Sequence, residues 1–134
     1  MNLLDSTASN TLHKFDSEFD YCWNVKVNPV NGWVYLATYG GIWLSKDEGD
    51  SWQLAIGGNS SPYSICTDVD VSSTGIVYVT LSDGGPAEGI WRAADGETFI
   101  DITPATGFPS APERIVLDIA PSNENVVYFI GDTP

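Results

Sequence analysis

The chain has 134 residues, 43% of them hydrophobic, and sets five Lys and Arg against eighteen Asp and Glu for a net charge of −13. That length fits one domain with a real core. The acid excess excludes nucleic acid and an anionic membrane surface as natural partners, since both are gripped through Lys and Arg, and no apolar run approaches the roughly 18 residues of a membrane span.

Residues 1–5 lack the basic start and apolar stretch of a signal peptide. Residues 1–21 are polar and acidic, with no strand pattern, and are expected to form a closing strand or an arm. Beyond them, short alternating runs of β-branched and aromatic residues recur between Gly, Pro, Asn and Ser, the pattern of an all-β chain. Ten strands are predicted, at 22–28, 33–38, 41–45, 51–56, 65–71, 76–81, 89–93, 98–103, 114–120 and 126–131.

The strands fall into repeats. Val25-Lys26-Val27 followed by Val34-Tyr35, Val69-Asp70-Val71 followed by Val77-Tyr78, and Leu117-Asp118-Ile119 followed by Val127-Tyr128 are three copies of strand, tight turn, strand. The tyrosine recurs at 35, 78 and 128, spacings of 43 and 50 residues. Gly41-Ile42-Trp43 likewise matches Gly89-Ile90-Trp91. Four strands per period of about 40–50 residues is the β-propeller signature. The predicted fold is therefore a partial propeller over 22–134: four-stranded antiparallel blades at 22–56 and 65–103, then the first half of a third at 114–131. Half a blade leaves an open sheet edge. The rest of a longer propeller, or a second chain, is expected to complete it.

Ser45, Asp47, Gly49, Ser51 and Trp52 match every defined position of the Asp-box (BNR) motif, S-x-D-x-G-x-[ST]-W. A second copy, with Asp95, Thr98 and Phe99, is one residue shorter and begins with Ala93. With the repeats, the chain resembles the sortilin-like Asp-box propellers of secreted bacterial proteins, above all those with a type IX secretion sorting domain. The resemblance covers 22–131. It implies secretion or display at the bacterial cell surface, and it says little about activity.

Within the motif, Asp47 is suited to accept backbone N–H groups across the turn, Gly49 to supply a positive φ, and Trp52 to bury a ring against the sheet. These are structural roles. Cys22 and Cys66 occupy equivalent repeat positions. They are read either as two small buried hydrophobes or as a disulfide, which needs Cα atoms about 4.4–6.8 Å apart.

No catalytic set is complete. His13 is the only histidine and sits in the polar N-terminal segment. Sialidases, which share Asp boxes, hold their substrate with three arginines, and this chain has Arg92 and Arg114 alone. Xyloglucanase-type propellers carry a catalytic aspartate after a Thr, where Thr38 here is followed by Tyr39. No metal ligand set is assigned. Asp68 and Asp70, on one face of a strand, and Asp16, Glu18 and Asp20 leave structural Ca²⁺ as the one cofactor reading, without an EF-hand spacing.

In a propeller, the loops 39–40, 57–63, 82–88 and 104–112 share one face. Loops on a rigid scaffold usually carry function, so Tyr39, Tyr63, Asp83, Glu88 and Phe108 are the expected ligand-facing residues. The leading expectation is a non-catalytic binding or adhesion module for a glycan or protein. The alternative is part of a polysaccharide-active glycoside hydrolase.

Overall fold

The computed structural model describes residues 21–58 and 66–132. Its secondary structure is all β: among the described residues there are ten strands and no helix. β1 (Cys22–Val27), β2 (Val34–Thr38), β3 (Gly41–Ser45) and β4 (Gln53–Gly57) form one antiparallel sheet in chain order. β5 (Cys66–Val71), β6 (Val77–Ser82), β7 (Gly89–Ala93) and β8 (Ile100–Asp101) form a second sheet of the same order. β9 (Arg114–Ile119) and β10 (Val127–Asp132) pair as a two-stranded hairpin. No sheet among the described residues closes on itself.

Every predicted strand has a counterpart, and the shifts at strand ends have local causes. β1 stops at Val27 because Asn28 turns the chain: its N–H donates to Trp33 O at 2.8 Å and its Oδ1 accepts Val30 N–H at 3.0 Å. β4 starts at Gln53, later than predicted, because residues up to 52 belong to the preceding turn. β8 is cut to two residues at both ends. Asp95 takes the N–H groups of Glu97 and Thr98. On the far side, Ile90 N–H bonds the Thr103 hydroxyl at 2.9 Å instead of a backbone carbonyl. Residues 1–20, with the expected arm, His13 and the Asp16–Glu18–Asp20 acids, lie outside the described residues.

The alternation of the strands sets the core. Tyr35 and Ala37 on β2 and Ile42 and Leu44 on β3 turn one face of the first sheet inward. Val69 on β5, Val77, Val79 and Leu81 on β6 and Ala93 on β7 meet them from the second sheet. All nine are at most 1% exposed, and each buried Val, Ile or Leu contributes roughly 1.5–3 kcal/mol. Tyr35 carries a hydroxyl into this core and satisfies it by donating to Gly96 O at 2.8 Å. Burial pushes that phenol's pKa above its ordinary value.

The first strands of the three units, β1, β5 and β9, are tied by polar side chains. Asn24 Nδ2 donates to Asp68 Oδ1 at 2.8 Å and Lys26 Nζ pairs with Asp70 Oδ1 at 2.9 Å. Asp68 Oδ2 and Asp70 Oδ2 accept the N–H groups of Leu117 and Ile119 at 3.1 and 3.0 Å. On the next strands, Thr80 Oγ1 donates to Ile115 O at 2.8 Å, and Ser82 Oγ accepts Ile115 N–H at 3.1 Å. A two-stranded hairpin alone is marginal in water; these bonds, with Ile115, Leu117 and Ile119 at most 8% exposed, hold β9–β10 to the second sheet.

Candidate functional site

The carboxylates of the two Asp-centred turns are the most obvious chemistry in the sequence. Asp47 Oδ1 accepts Ser51 N–H at 2.8 Å and Ser45 Oγ–H at 2.9 Å, and Oδ2 accepts Ser51 Oγ–H at 2.6 Å. Ser45 Oγ in turn accepts Gly49 N–H at 2.8 Å, and Gly49 sits at φ 94°. The bonds from Ser51 and Ser45 hold the Asp47 carboxyl below its usual pKa. In the shorter turn, Asp95 accepts Thr98 Oγ–H and N–H, both at 2.7 Å, and Glu97 N–H at 2.9 Å. Those donors, the Thr98 hydroxyl foremost, lower its pKa to about 2. Trp52 and Phe99 follow the two turns half-buried, and Phe99 packs on the core. Both carboxylates spend their oxygens on closing their own turns, which is structural work.

The same holds for Asp68 and Asp70. Asp68 accepts from Asn24, Leu117 and Val69, and Asp70 faces Lys26 and accepts from Val71 and Ile119. Among the described residues no three His, Cys, Asp or Glu side chains gather as a metal-binding group.

Of the expected ligand-facing residues, Phe108 lines a cleft apart from the other described ones. Tyr63 lies outside the described residues. Asp83 is exposed at φ 61°, a left-handed conformation that Asp tolerates, and its N–H donates to Pro112 O at 2.8 Å. Glu88 Oε2 accepts Gly84 N–H at 2.9 Å, so this acid closes the loop that presents Asp83. Phe108 lines a cleft of about 540 Å³ with Pro104, Pro109, Ile90, Ile115 and Phe129, between the second sheet and the hairpin. Neither Tyr39, Asp83 nor Glu88 lines that cleft.

Tyr39 is different. Its N–H donates to Tyr21 O at 2.9 Å, extending the β1–β2 ladder, and the two rings lie 6.2 Å apart. Tyr21 stacks against Trp23 at 6.4 Å with 28° between the planes. The Arg114 guanidinium, at the start of β9, stands 5.1 Å over the Trp23 ring. Tyr21 and Trp23 remain 45% and 37% exposed. Three rings and one cation, drawn from both ends of the described chain, thus meet on one surface at the start of the first strands.

A β-bulge aims this group. Cys22 pairs with Thr38 and Asn24 pairs with Ala37, so Trp23 is the extra residue opposite the β2 ladder. Bulges re-aim side chains and gather beside functional sites. β5, the repeat equivalent, pairs with β6 residue for residue from Cys66 to Val71. The bulge and its tryptophan therefore break the repeat. Cys22 beside it is exposed, not buried as a small core hydrophobe; the side chain of Cys66 is not among those described.

Tyr21 and Trp23 went unassigned in the sequence, where Tyr21 fell in the N-terminal segment. The signal that could have found Trp23 was repeat comparison: Thr67 and Ile115 hold its place in the other two units. Compared with models of known families, with curated proteins and with solved structures, the chain finds no match in any of the three.

Proposed function

We propose that this chain is a non-catalytic binding module that takes a glycan on the Tyr21–Trp23–Tyr39 surface. The observation that carries the reading is the bulged Trp23, exposed, ring-stacked and capped by Arg114. Sugar rings present C–H faces that lie well on indole and phenol rings. A guanidinium beside them supplies fixed donors for hydroxyl or carboxylate oxygens. In a chain of net charge −13 an arginine held in that place is a selective feature for an acidic sugar such as a uronic acid. Two four-stranded sheets of like order, their repeat and the Asp-centred turns support a propeller of the Asp-box, sortilin-like kind for the scaffold. The resemblance to secreted bacterial proteins with type IX sorting domains supports a role outside the cell.

Tryptophan fluorescence titration against neutral and uronic-acid oligosaccharides tests it. Saturable quenching is expected, lost in Trp23→Ala and weakened for the acidic ligands in Arg114→Gln, with no reducing sugar released. Absence of binding across the panel, or binding untouched by Trp23→Ala, would overturn the site. Sugar release would overturn its non-catalytic character.

A further inference from the structure

The ring and the cation of the aromatic surface come from different units, Trp23 from β1 and Arg114 from β9. The two strands belong to different sheets, so no backbone ladder joins them. Among the described residues Arg114 makes no ion pair. The place of its guanidinium, 5.1 Å over the Trp23 ring, therefore depends on how β1 and β9 are held relative to each other.

Two carboxylates of β5, the strand between them, do that holding. Asp68 Oδ1 accepts Asn24 Nδ2–H at 2.8 Å, and its Oδ2 accepts Leu117 N–H at 3.1 Å. Asp70 Oδ1 pairs with Lys26 at 2.9 Å, and its Oδ2 accepts Ile119 N–H at 3.0 Å. Each carboxylate thus has one oxygen on the tryptophan strand and the other on the arginine strand. Distance separates their roles. At about 3.3 Å per strand residue, the bonds of Asp68 stand about 3 Å along β1 from Trp23 and about 10 Å along β9 from Arg114, against about 10 and 17 Å for Asp70. Asn24 is also where the β1–β2 register resumes after the bulge, so fixing it fixes the bulge end that aims Trp23. The Lys26 side chain, by contrast, is 39% exposed, and water weakens its pair with Asp70.

We propose that Asp68 is a positioning residue of the aromatic surface. By holding Asn24 and Leu117 with one carboxylate it sets the Arg114 guanidinium over the Trp23 ring, and with it the preference for acidic over neutral sugars. That preference takes the glycan reading of the surface as given; the placement of Arg114 rests on the hydrogen bonds alone.

Fluorine NMR of the whole chain labelled with fluorotryptophan reads the placement without any ligand. The chain has five tryptophans, and Trp23→Phe assigns the resonance of interest. Arg114→Gln is expected to shift it. Asp68→Asn keeps the side chain's size but turns one acceptor into an amide NH2 that faces a donor, which lets go of one strand. It is expected to shift the Trp23 resonance as Arg114→Gln does, with the other four in place, and to add little in the Arg114→Gln background. Asp70→Asn, the same change farther off, is expected to shift it less. A Trp23 resonance indifferent to Asp68→Asn or to Arg114→Gln, or moved as far by Asp70→Asn, would overturn the proposal. If Asp68→Asn unfolds the chain, Asn24→Ala decides by the same criteria, since it cuts the tie to β1 and leaves Leu117 bonded.

Titration with uronic-acid and neutral oligosaccharides reads the preference. Arg114→Gln is expected to lower the ratio of acidic to neutral affinity about tenfold, the worth of one hydrogen bond to a charged group. Asp68→Asn is expected to lower it in the wild type and not in Arg114→Gln. A merely structural loss weakens both affinities together, and an unchanged ratio would overturn the role of Asp68 in selection. Resonance shifts as expected with no sugar bound would remove the glycan reading and uphold Asp68 as the residue that places Arg114. Sugar binding with an unmoved resonance would do the reverse.

Discussion

Asp68 on β5 accepts the backbone N–H of Leu117 on β9 at 3.1 Å, a carboxylate standing in for the strand that would otherwise satisfy that amide. Both residues are 8% exposed, so the amide has no ready replacement in water. Asp70 repeats the arrangement two residues on, with Ile119. A hairpin of two strands is thus docked by the side chains of its neighbour.

Asp68→Ala strips that acceptor and also the partner of Asn24. Leaving a buried donor unmade costs about 1–3 kcal/mol. The expected outcome is a loss of that size in chemical denaturation, with the hairpin the first part to open. Hydrogen exchange resolves this: the amides of Leu117 and Ile119 should lose protection before those of Val77 and Val79 in the core. Uniform loss across all strands would mean that Asp68 supports the whole fold and not the hairpin.

Truncating the core itself should behave differently. Leu81 on β6 is fully buried between the two sheets. Leu81→Ala removes apolar contact and leaves a cavity, at a cost of roughly 2–5 kcal/mol. Because both sheets share that core, their amides are expected to lose protection together. Exchange confined to the second sheet would show that the two sheets open independently.

The strands were legible in the sequence because composition and turn chemistry agree: the apolar and β-branched run Val34-Tyr35-Leu36-Ala37-Thr38 lies between Gly32 and Gly40, and the β2 ladder runs over those five residues. The core tyrosine was legible because Tyr35 recurs at fixed repeat positions. Of the candidate site only Tyr39 was, through its loop position; the Trp23–Arg114 pair was not, for two physical reasons. A bulge inserts one residue and shifts side-chain direction, which no period-2 reading registers, so Trp23 passed for another strand residue. The cation over it comes from Arg114, 91 positions away, where only packing of β1, β5 and β9 brings the strand starts together. Loop position, by contrast, singled out Glu88, whose carboxylate turned out to hold its own loop.

Acid should weaken the two Asp-centred turns. The folded-state pKa of Asp95 is depressed to about 2 from an ordinary value of 3.8, and that of Asp47 is depressed in the same direction. A depressed carboxyl contributes stability that is fully present above its unfolded pKa and is lost as pH falls through the folded one. The wild-type melting temperature is therefore expected to drop between about pH 5 and pH 2. In Asp47→Asn with Asp95→Asn the starting value is lower and the drop smaller. Parallel wild-type and variant curves over that range would show that other carboxyls dominate.

The contact between Tyr35 and Gly96 offers the sharpest test of packing. Gly96 lies at φ +80°, and a Cβ added there would stand 2.6 Å from the Tyr35 hydroxyl oxygen. Gly107 has nearly the same backbone, φ +82°, with nothing within 4 Å of an added Cβ. Gly107→Ala should cost only the left-handed penalty, about 1–2 kcal/mol. Gly96→Ala carries that penalty and a clash with a buried ring that has no room to retreat, so a clearly larger loss is expected. Tyr35→Phe alone leaves Gly96 O without its donor and is expected to cost about 1 kcal/mol. It also removes the atom that an alanine at 96 would strike. The double variant should therefore be more stable than the two single losses added together, and a thermodynamic cycle in urea measures the difference. Strict additivity would mean that the turn moves away from Tyr35 when the methyl group arrives, and that this junction between the two sheets is softer than its geometry.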